Sequence, residues 1–232
     1  MPIYLHELVN TVPTRSENYL DSMAEYHGSN RRKSGKTDTM LGLWTVLEAN
    51  GTWPLGVNIW QHTDWDDQAN DLLRQFEPRV QDPKLKEWWL GNLNLRTGGF
   101  DRLLESTDYT LDVAGLRSRG AGGKLFLHQI VRVRAGAVDE YLDAFAESAL
   151  PALDDAGAQL VGAYRVRLYN DEAIVILAFR EPADFARYLK AWHDGAASGA
   201  LGRWREAENR WVREKETLLM KPRYFLDSPW HP

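Results

Sequence analysis

Apolar and polar positions alternate along residues 3–11 (IYLHELVNT), and the β-branched content there predicts a strand. From about Arg15 to Tyr26 the period becomes helical, with Tyr19, Leu20 and Met23 on one face. MLGLWTVLEA (40–49) and PLGVNIWQH (54–62) read as paired strands around NGTW, where Asn50-Gly51 suits the positive φ of a tight hairpin. Helices are expected to begin at Asp64, with Asp67 in an acidic first turn, and near Pro182. EAIVILAF (172–179) is apolar at both parities, so both of its faces are expected to be buried. Residues 108–114 and 223–230 read as strand-like tails.

Much of this pattern is written twice. YLHELVNTVPTRSENYLD (4–21) returns as FLHQIVRVRAGAVDEYLD (126–143), with six of eighteen positions identical at an offset of 122. Gly42, Trp44 and Val46 return as Gly162, Tyr164 and Val166, an offset of 120. At the same offset Ile59, Asp64 and Trp65 align with Phe179, Asp184 and Phe185, and Asn50 with Asn170. LLESTDYTLD (103–112) aligns with LLMKPRYFLD (218–227) at 115. A tandem repeat of βαββα units with a closing strand predicts an α+β fold of two ferredoxin-like units, residues 1–117 and 123–232. Their sheets are expected to pack face to face as an α+β barrel within one chain.

On these residues the chain resembles the dimeric α+β barrel superfamily, and within it a tandem NIPSNAP-type protein. The likeness rests on His6, Glu7 and Leu8 in the first half and His128, Gln129 and Ile130 in the second, where such proteins open with a tyrosine-glutamate-leucine strand. Histidine replaces that tyrosine in both halves, and Val9 and Val131 stand where the family often has arginine. The resemblance implies a fold. For function it implies the range of the superfamily: cofactor-independent oxygenases, isomerases, lyases and cyclases acting on small molecules between a sheet and its helices. Haem proteins of chlorite-dismutase-like architecture and non-catalytic modules belong to that range as well.

Composition narrows the classes. A net charge of −5 disfavours nucleic-acid binding, which needs a basic face. The absence of cysteine removes disulfides and thiolate chemistry and fits a cytoplasmic setting. No apolar run is long enough for a membrane helix, and the start lacks the pattern of a secretory signal. Ten tryptophans exceed what core bulk alone calls for, and suit a pocket for a small apolar or aromatic partner.

The candidate chemistry gathers on the first half. His6 and His128 recur at one strand position, as general bases or polar anchors in related pockets or as core histidines. His6 and Glu7, being neighbours, face opposite sides of their strand. Along 55–62, Val57, Ile59 and Gln61 share one face and Asn58, Trp60 and His62 the other, which is polar for a buried sheet; the second half aligns Ala178 and Arg180 with Asn58 and Trp60. The catalytic candidates are His6 or His62 as base and Asn58 as an oxyanion donor. Trp44 and Trp60 are expected as apolar walls, with Tyr4, Glu7, His128 and Tyr164 completing the substrate-facing set.

Other motifs add less. HTDWDD (62–67) offers carboxylates beside a histidine, but Asp64 and Asp67 already serve a helix start, so no metal and no bound cofactor is expected. NRRKSGKT (30–37) lacks the first glycine of a phosphate loop and reads as a basic loop peculiar to the first half. Trp88 and Trp89 are adjacent and cannot share a helix face, so one of them is expected to cover a pocket or a subunit contact. Trp204 and Trp211, seven apart, read with Leu201 as one helix stripe for core or interface packing. One chain suffices for such a barrel, and pairing of two chains through helix faces stays open.

Overall fold

The computed structural model describes residues 2–27, 39–49, 51–77, 82–195, 199–226 and 228–229. The chain runs β1 (Ile3–Thr11), α1 (Ser16–Tyr26), β2 (Thr39–Val46), β3 (Leu55–His62), α2 (Trp65–Phe76), α3 (Pro83–Gly91), β4 (Arg96–Ser106) and α4 (Val113–Ser118). It continues with β5 (Leu125–Val133), α5 (Val138–Ser148), β6 (Gln159–Arg167), β7 (Glu172–Phe179), α6 (Pro182–His193), α7 (Ala200–Ala207), β8 (Val212–Phe225) and the short β9 (Ser228–Pro229). Strand order is β2-β3-β1-β4-β6-β7-β5-β8, every pairing is antiparallel, and β2 also bonds β8. The eight strands therefore close into one barrel, which removes the unpaired edges of an open sheet. Among the described residues no helix is long and apolar enough to cross a membrane.

Strand alternation sorts the side chains into an interior and two outer layers. Tyr4 and Leu8 of β1, Phe126 and Ile130 of β5, and Ile174 and Ile176 of β7 belong to the interior cluster. Leu5 and Val9 point outward and pack under Tyr19, Leu20 and Met23 of α1. In the second half Val131, Val175 and Leu177 meet Tyr141, Leu142 and Phe145 of α5. β7 is buried along its whole length, as its apolar run requires. Each such side chain removed from water contributes about 1.5–3 kcal/mol. One barrel end is stopped by α4, whose Val113 and Leu116 join the interior cluster and whose Asp112 cap accepts from the Gly115 amide at 2.7 Å.

Two close approaches fix the second strand of each half. A Cβ added to Gly42 would lie 2.1 Å from the Trp44 ring, and one on Gly162 would lie 2.1 Å from the Tyr164 hydroxyl. The register shifts at both glycines, between Met40 and Gly42 and between Leu160 and Gly162. The bulge lets the ring of the residue two places on fold back over the glycine and into the barrel.

Several expectations need correction. Residues 108–114 are not a strand: the closing strand is Arg96–Ser106, and Asp112 instead caps α4. Gly98, Gly99 and the polar residues of 96–101 hid the alternation there. The second closing strand likewise begins at Val212 rather than 223. The hairpin after β2 spans 47–54, with Gly51 at φ 90°, while Asn50 and the basic loop 30–37 lie outside the described residues.

The repeat offsets shift too. Ile59 stands opposite His6, and opposite His128 stands Ile176, so this strand recurs at 117 and its counterpart to Asn58 is Val175, not Ala178. Leu103 faces Leu5 as Leu219 faces Leu127, an offset of 116. The helix starts agree with 117: Asp64 caps α2 and Glu181 caps α6.

Candidate functional site

Alternation divides the nine candidate residues between two places that do not meet. Tyr4, His6, Trp44, His128 and Tyr164 point into the barrel, where each is fully buried. Glu7, Asn58, Trp60 and His62 point outward, beneath the helices of the first half. A pocket drawing on both sets would have to pass through the sheet.

The interior set is held by its own contacts. Tyr4 donates to Gln61 Oε1 at 3.3 Å and meets Tyr164 edge-on at 5.0 Å between ring centres. Trp44 packs on Phe126 and Phe225. His6 and His128 touch Nε2 to Nε2 at 2.9 Å with ring planes 16° apart. Burial, then His128, then Arg102 hold His6 well below the usual histidine range; burial and Arg102 bring His128 down to about 3. Both rings are thus neutral at physiological pH, and one must donate through Nε2 while the other accepts. His6 is thereby corrected as a cleft base: the proton it could move goes to another histidine inside a packed core. Arg102 lies across from His6 and is ion-paired with Glu172, which also accepts from Arg132 Nε at 3.4 Å.

The outward set forms the candidate site. β1 and β3 place Glu7 opposite Asn58, and alternation sets Trp60 and His62 further along the same row. Glu7 Oε2 accepts from Asn58 Nδ2 at 2.5 Å and from Trp60 Nε1 at 2.7 Å. Two N–H donors on one carboxylate oxygen lock its direction. One of the two N–H groups of Asn58 is thus given to Glu7. His62 is buried with Nδ1 3.7 Å from Asp67 Oδ2, an oxygen that accepts a hydrogen bond from the Thr63 amide at 3.1 Å.

Of the cover of this row, sequence reasoning singled out the tryptophan pair and missed Tyr19, Arg96 and His27. Tyr19 comes down from α1, its hydroxyl pKa raised by burial and then by the Glu7 carboxylate. Trp88 from α3 donates to the Ser22 carbonyl at 3.1 Å and hydroxyl at 2.9 Å. Arg96 stands 3.9 Å from the centre of the Trp89 ring and 5.9 Å from that of Trp88, a cation–π stack at the rim. His27 sets its ring edge-on to Trp60 at 5.2 Å. Trp88 and Trp89 both line the cleft, so the pocket-covering role expected of one is shared by two. The adjacent tryptophans were the available signal; Arg96 and His27 had none.

The space enclosed by Glu7, Tyr19, Trp60, His62, Trp88 and Arg96 is about 30 Å³, room for a water or two. Ordinary small-molecule sites occupy roughly 300–1,000 Å³. Occupation by an organic molecule therefore requires the cover to move outward. No group of three or more metal-ligating side chains occurs among the described residues.

No known protein family and no curated protein matches the sequence. Solved structures do. A protein of Fusobacterium nucleatum provisionally named a monooxygenase superposes with a TM-score of 0.63 at 9% identity, over 95% of this chain and 92% of its own. An anthrone oxidase-like protein gives 0.63 at 12% identity, over 95% and 91%. One provisionally named a chlorite dismutase gives 0.55 at 12%, over 96% and 95%. A NIPSNAP family protein of Agrobacterium tumefaciens matches 47% of this chain and 96% of its own, at 15% identity and a TM-score of 0.38, too slight to argue from. At such identities the likeness shows the fold: an α+β protein built on an eight-stranded antiparallel barrel, similar to dimeric α+β barrel proteins.

Proposed function

We propose that this chain is an enzyme that works without a resident cofactor on a small apolar or aromatic molecule, in the first-half cleft between β1–β3 and helices α1 and α3. The reaction class is that of proton abstraction, as an oxygenase, isomerase, lyase or cyclase of this kind begins. The observation that carries the reading is the row of half-buried Glu7 with buried Asn58, Trp60 and His62 under an aromatic cover. Convergent polar groups in an apolar, water-poor cleft are what strengthens acid–base chemistry. In this reading Glu7, its carboxylate fixed by Asn58 and Trp60, accepts a hydrogen bond from a substrate hydroxyl. His62 takes the proton, with Asp67 beside its Nδ1 favouring the charged ring that results. The likeness to an anthrone oxidase-like protein makes polycyclic phenols and anthrones the first compounds to offer. We read the barrel as two ferredoxin-like units, 1–117 and 123–232, of which the first carries this work.

The haem alternative requires a histidine facing a roomy cleft. His6 and His128 face each other inside the barrel and His62 faces about 30 Å³ at rest, so none of these three presents its ring to a haem-sized space, whereas His193 lines the roomier cleft of the second half.

The test is turnover of a phenol and anthrone panel, followed by chromatography and oxygen uptake. A positioned general base contributes about 10²–10⁴-fold, so His62→Gln should lose at least a hundredfold in kcat, and Glu7→Gln should chiefly raise KM. Wild-type rates in both variants would remove the assignment.

A further inference from the structure

We propose that the second half holds a separate binding site, for a small aromatic molecule carrying one anionic group, in the cleft between β5, β8 and helix α6. This site does not depend on the function assigned to the first cleft. Leu127 and Gln129 of β5 line it at the strand positions that Leu5 and Glu7 occupy in the first cleft, 122 residues earlier. The volume differs greatly: about 450 Å³ here against about 30 Å³ there. That places the second cleft, without any movement, within the range of ordinary small-molecule sites.

Its lining states the ligand's chemistry. Tyr188 and Trp192, one turn apart on α6, stack with ring planes 19° apart and give a flat aromatic wall, with Leu127 and Leu189 completing the apolar part. The charged part is Lys215, Glu208 and Arg205. Lys215 Nζ lies 2.5 and 2.6 Å from the two oxygens of Glu208 and 4.6 Å from the centre of the Trp192 ring. Arg205 is held at the rim by the Trp192 and His193 carbonyls, at 3.4 and 3.3 Å.

Glu208 neutralises Lys215, and Arg205 is left as net positive charge. The exchange of Glu7 for Gln129 removes the carboxylate that would repel an anion at the equivalent point of the floor. A buried ion pair costs desolvation, and burial indeed pulls the Lys215 pKa down and pushes that of Glu208 up. Such a pair at the wall of an open, aromatic cleft supplies a directed field where a ligand's anionic group would sit.

The test uses 2-naphthoate, with the neutral 2-naphthalenemethanol as its comparison, in isothermal titration calorimetry on the full chain. The acid should bind one to one and at least tenfold more tightly than the alcohol. Arg205→Gln should weaken the acid by 3- to 10-fold and leave the alcohol unchanged. Leu189→Trp, which fills the slot, should weaken the acid at least tenfold while circular dichroism stays native. No saturable binding, equal affinity for acid and alcohol, or an unchanged affinity in Leu189→Trp would each overturn the proposal; the last would place the ligand elsewhere, the first cleft included. Should Leu189→Trp not fold, Arg205→Gln with the acid–alcohol pair decides the matter.

Discussion

The Nε2 atoms of His6 and His128, 122 residues apart in sequence, lie 2.9 Å apart at the centre of the barrel. That one hydrogen bond joins β1 to β5 across the barrel. Both rings are fully buried, and burial, with Arg102 adding to it, disfavours a proton on either. Their pKa values are lowered by folding from about 6.5, so the unfolded chain binds more protons below that pH. Their contribution to stability is therefore complete above about pH 6.5 and is lost as the pH falls toward the folded value, about 3 for His128. Each ring contributes a slope of about 1.4 kcal/mol per pH unit inside that window. Urea denaturation from pH 7.5 to 4.5 should show stability falling with acid, and the double variant His6→Gln, His128→Gln should flatten the curve. An equally steep curve in the double variant would assign the acid sensitivity elsewhere.

The same pair shows what the sequence discloses. That His6 and His128 recur was plain from the echo of the first strand, because a strand of period two repeats its apolar pattern visibly. Their contact across the barrel was not, since it depends on how the sheets close. The split of the candidate residues was half legible: Glu7 and His6 had to diverge, as did Asn58 and Ile59. Which face meets helices is decided by tertiary packing alone. The offset of the third strand was misjudged by three residues because the hairpin 47–54 is longer than its counterpart, and an apolar strand aligns with itself at several shifts. Of the lining of the second cleft, only Leu127 and Gln129 of β5 stand in a repeated motif; the rest comes from α6, α7, the turn after it and β8, which only the folded chain brings together.

Gly42 and Gly162 test the core directly. Gly42→Ala pushes a methyl group to 2.1 Å from the ring of fully buried Trp44, with no space to move into. Overpacking costs typically 1–3 kcal/mol, and this rigid clash should reach about 3 kcal/mol in urea denaturation. Trp44→Leu in the same chain removes the ring that clashes, so the double variant should be more stable than the sum of the two losses predicts. Strict additivity would mean that the glycine serves some other purpose.

Charge placement gives a graded prediction. Arg102 and Glu172 are both buried, whereas Arg167, which pairs with Glu105 at 2.9 Å, is 44% exposed. Glu172→Gln leaves the Arg102 guanidinium charged without its counter-ion and should cost about 3–5 kcal/mol. Arg167→Gln breaks a pair in solvent and should cost under about 1 kcal/mol. Thermal or urea unfolding of the two variants side by side should separate them clearly, and similar losses would show that the interior pair is more hydrated than its burial implies.

The cover of the first cleft can be tested through Trp60. Its indole N–H is bonded to Glu7 at 2.7 Å in a cleft partly lined by Trp88, whose own indole is tied to Ser22. Helix α3 fully buries only Leu85 and is otherwise held by side chains on its face: that tie, the Arg96 stack, and the rings of Tyr26 against Trp88 and Phe76 against Trp89. Elements with so little fully buried surface open at low free energy. Trp88→Ala removes both the anchor and part of the roof. Hydrogen exchange at the Trp60 indole, followed by NMR, should then speed up at least tenfold while the core amides of β7 keep their protection. Exchange at the wild-type rate would mean that access to Glu7 and His62 runs past some other element. If it does speed up, Trp88 is what shields this row from solvent, and the small resting volume of the cleft is set by that cover.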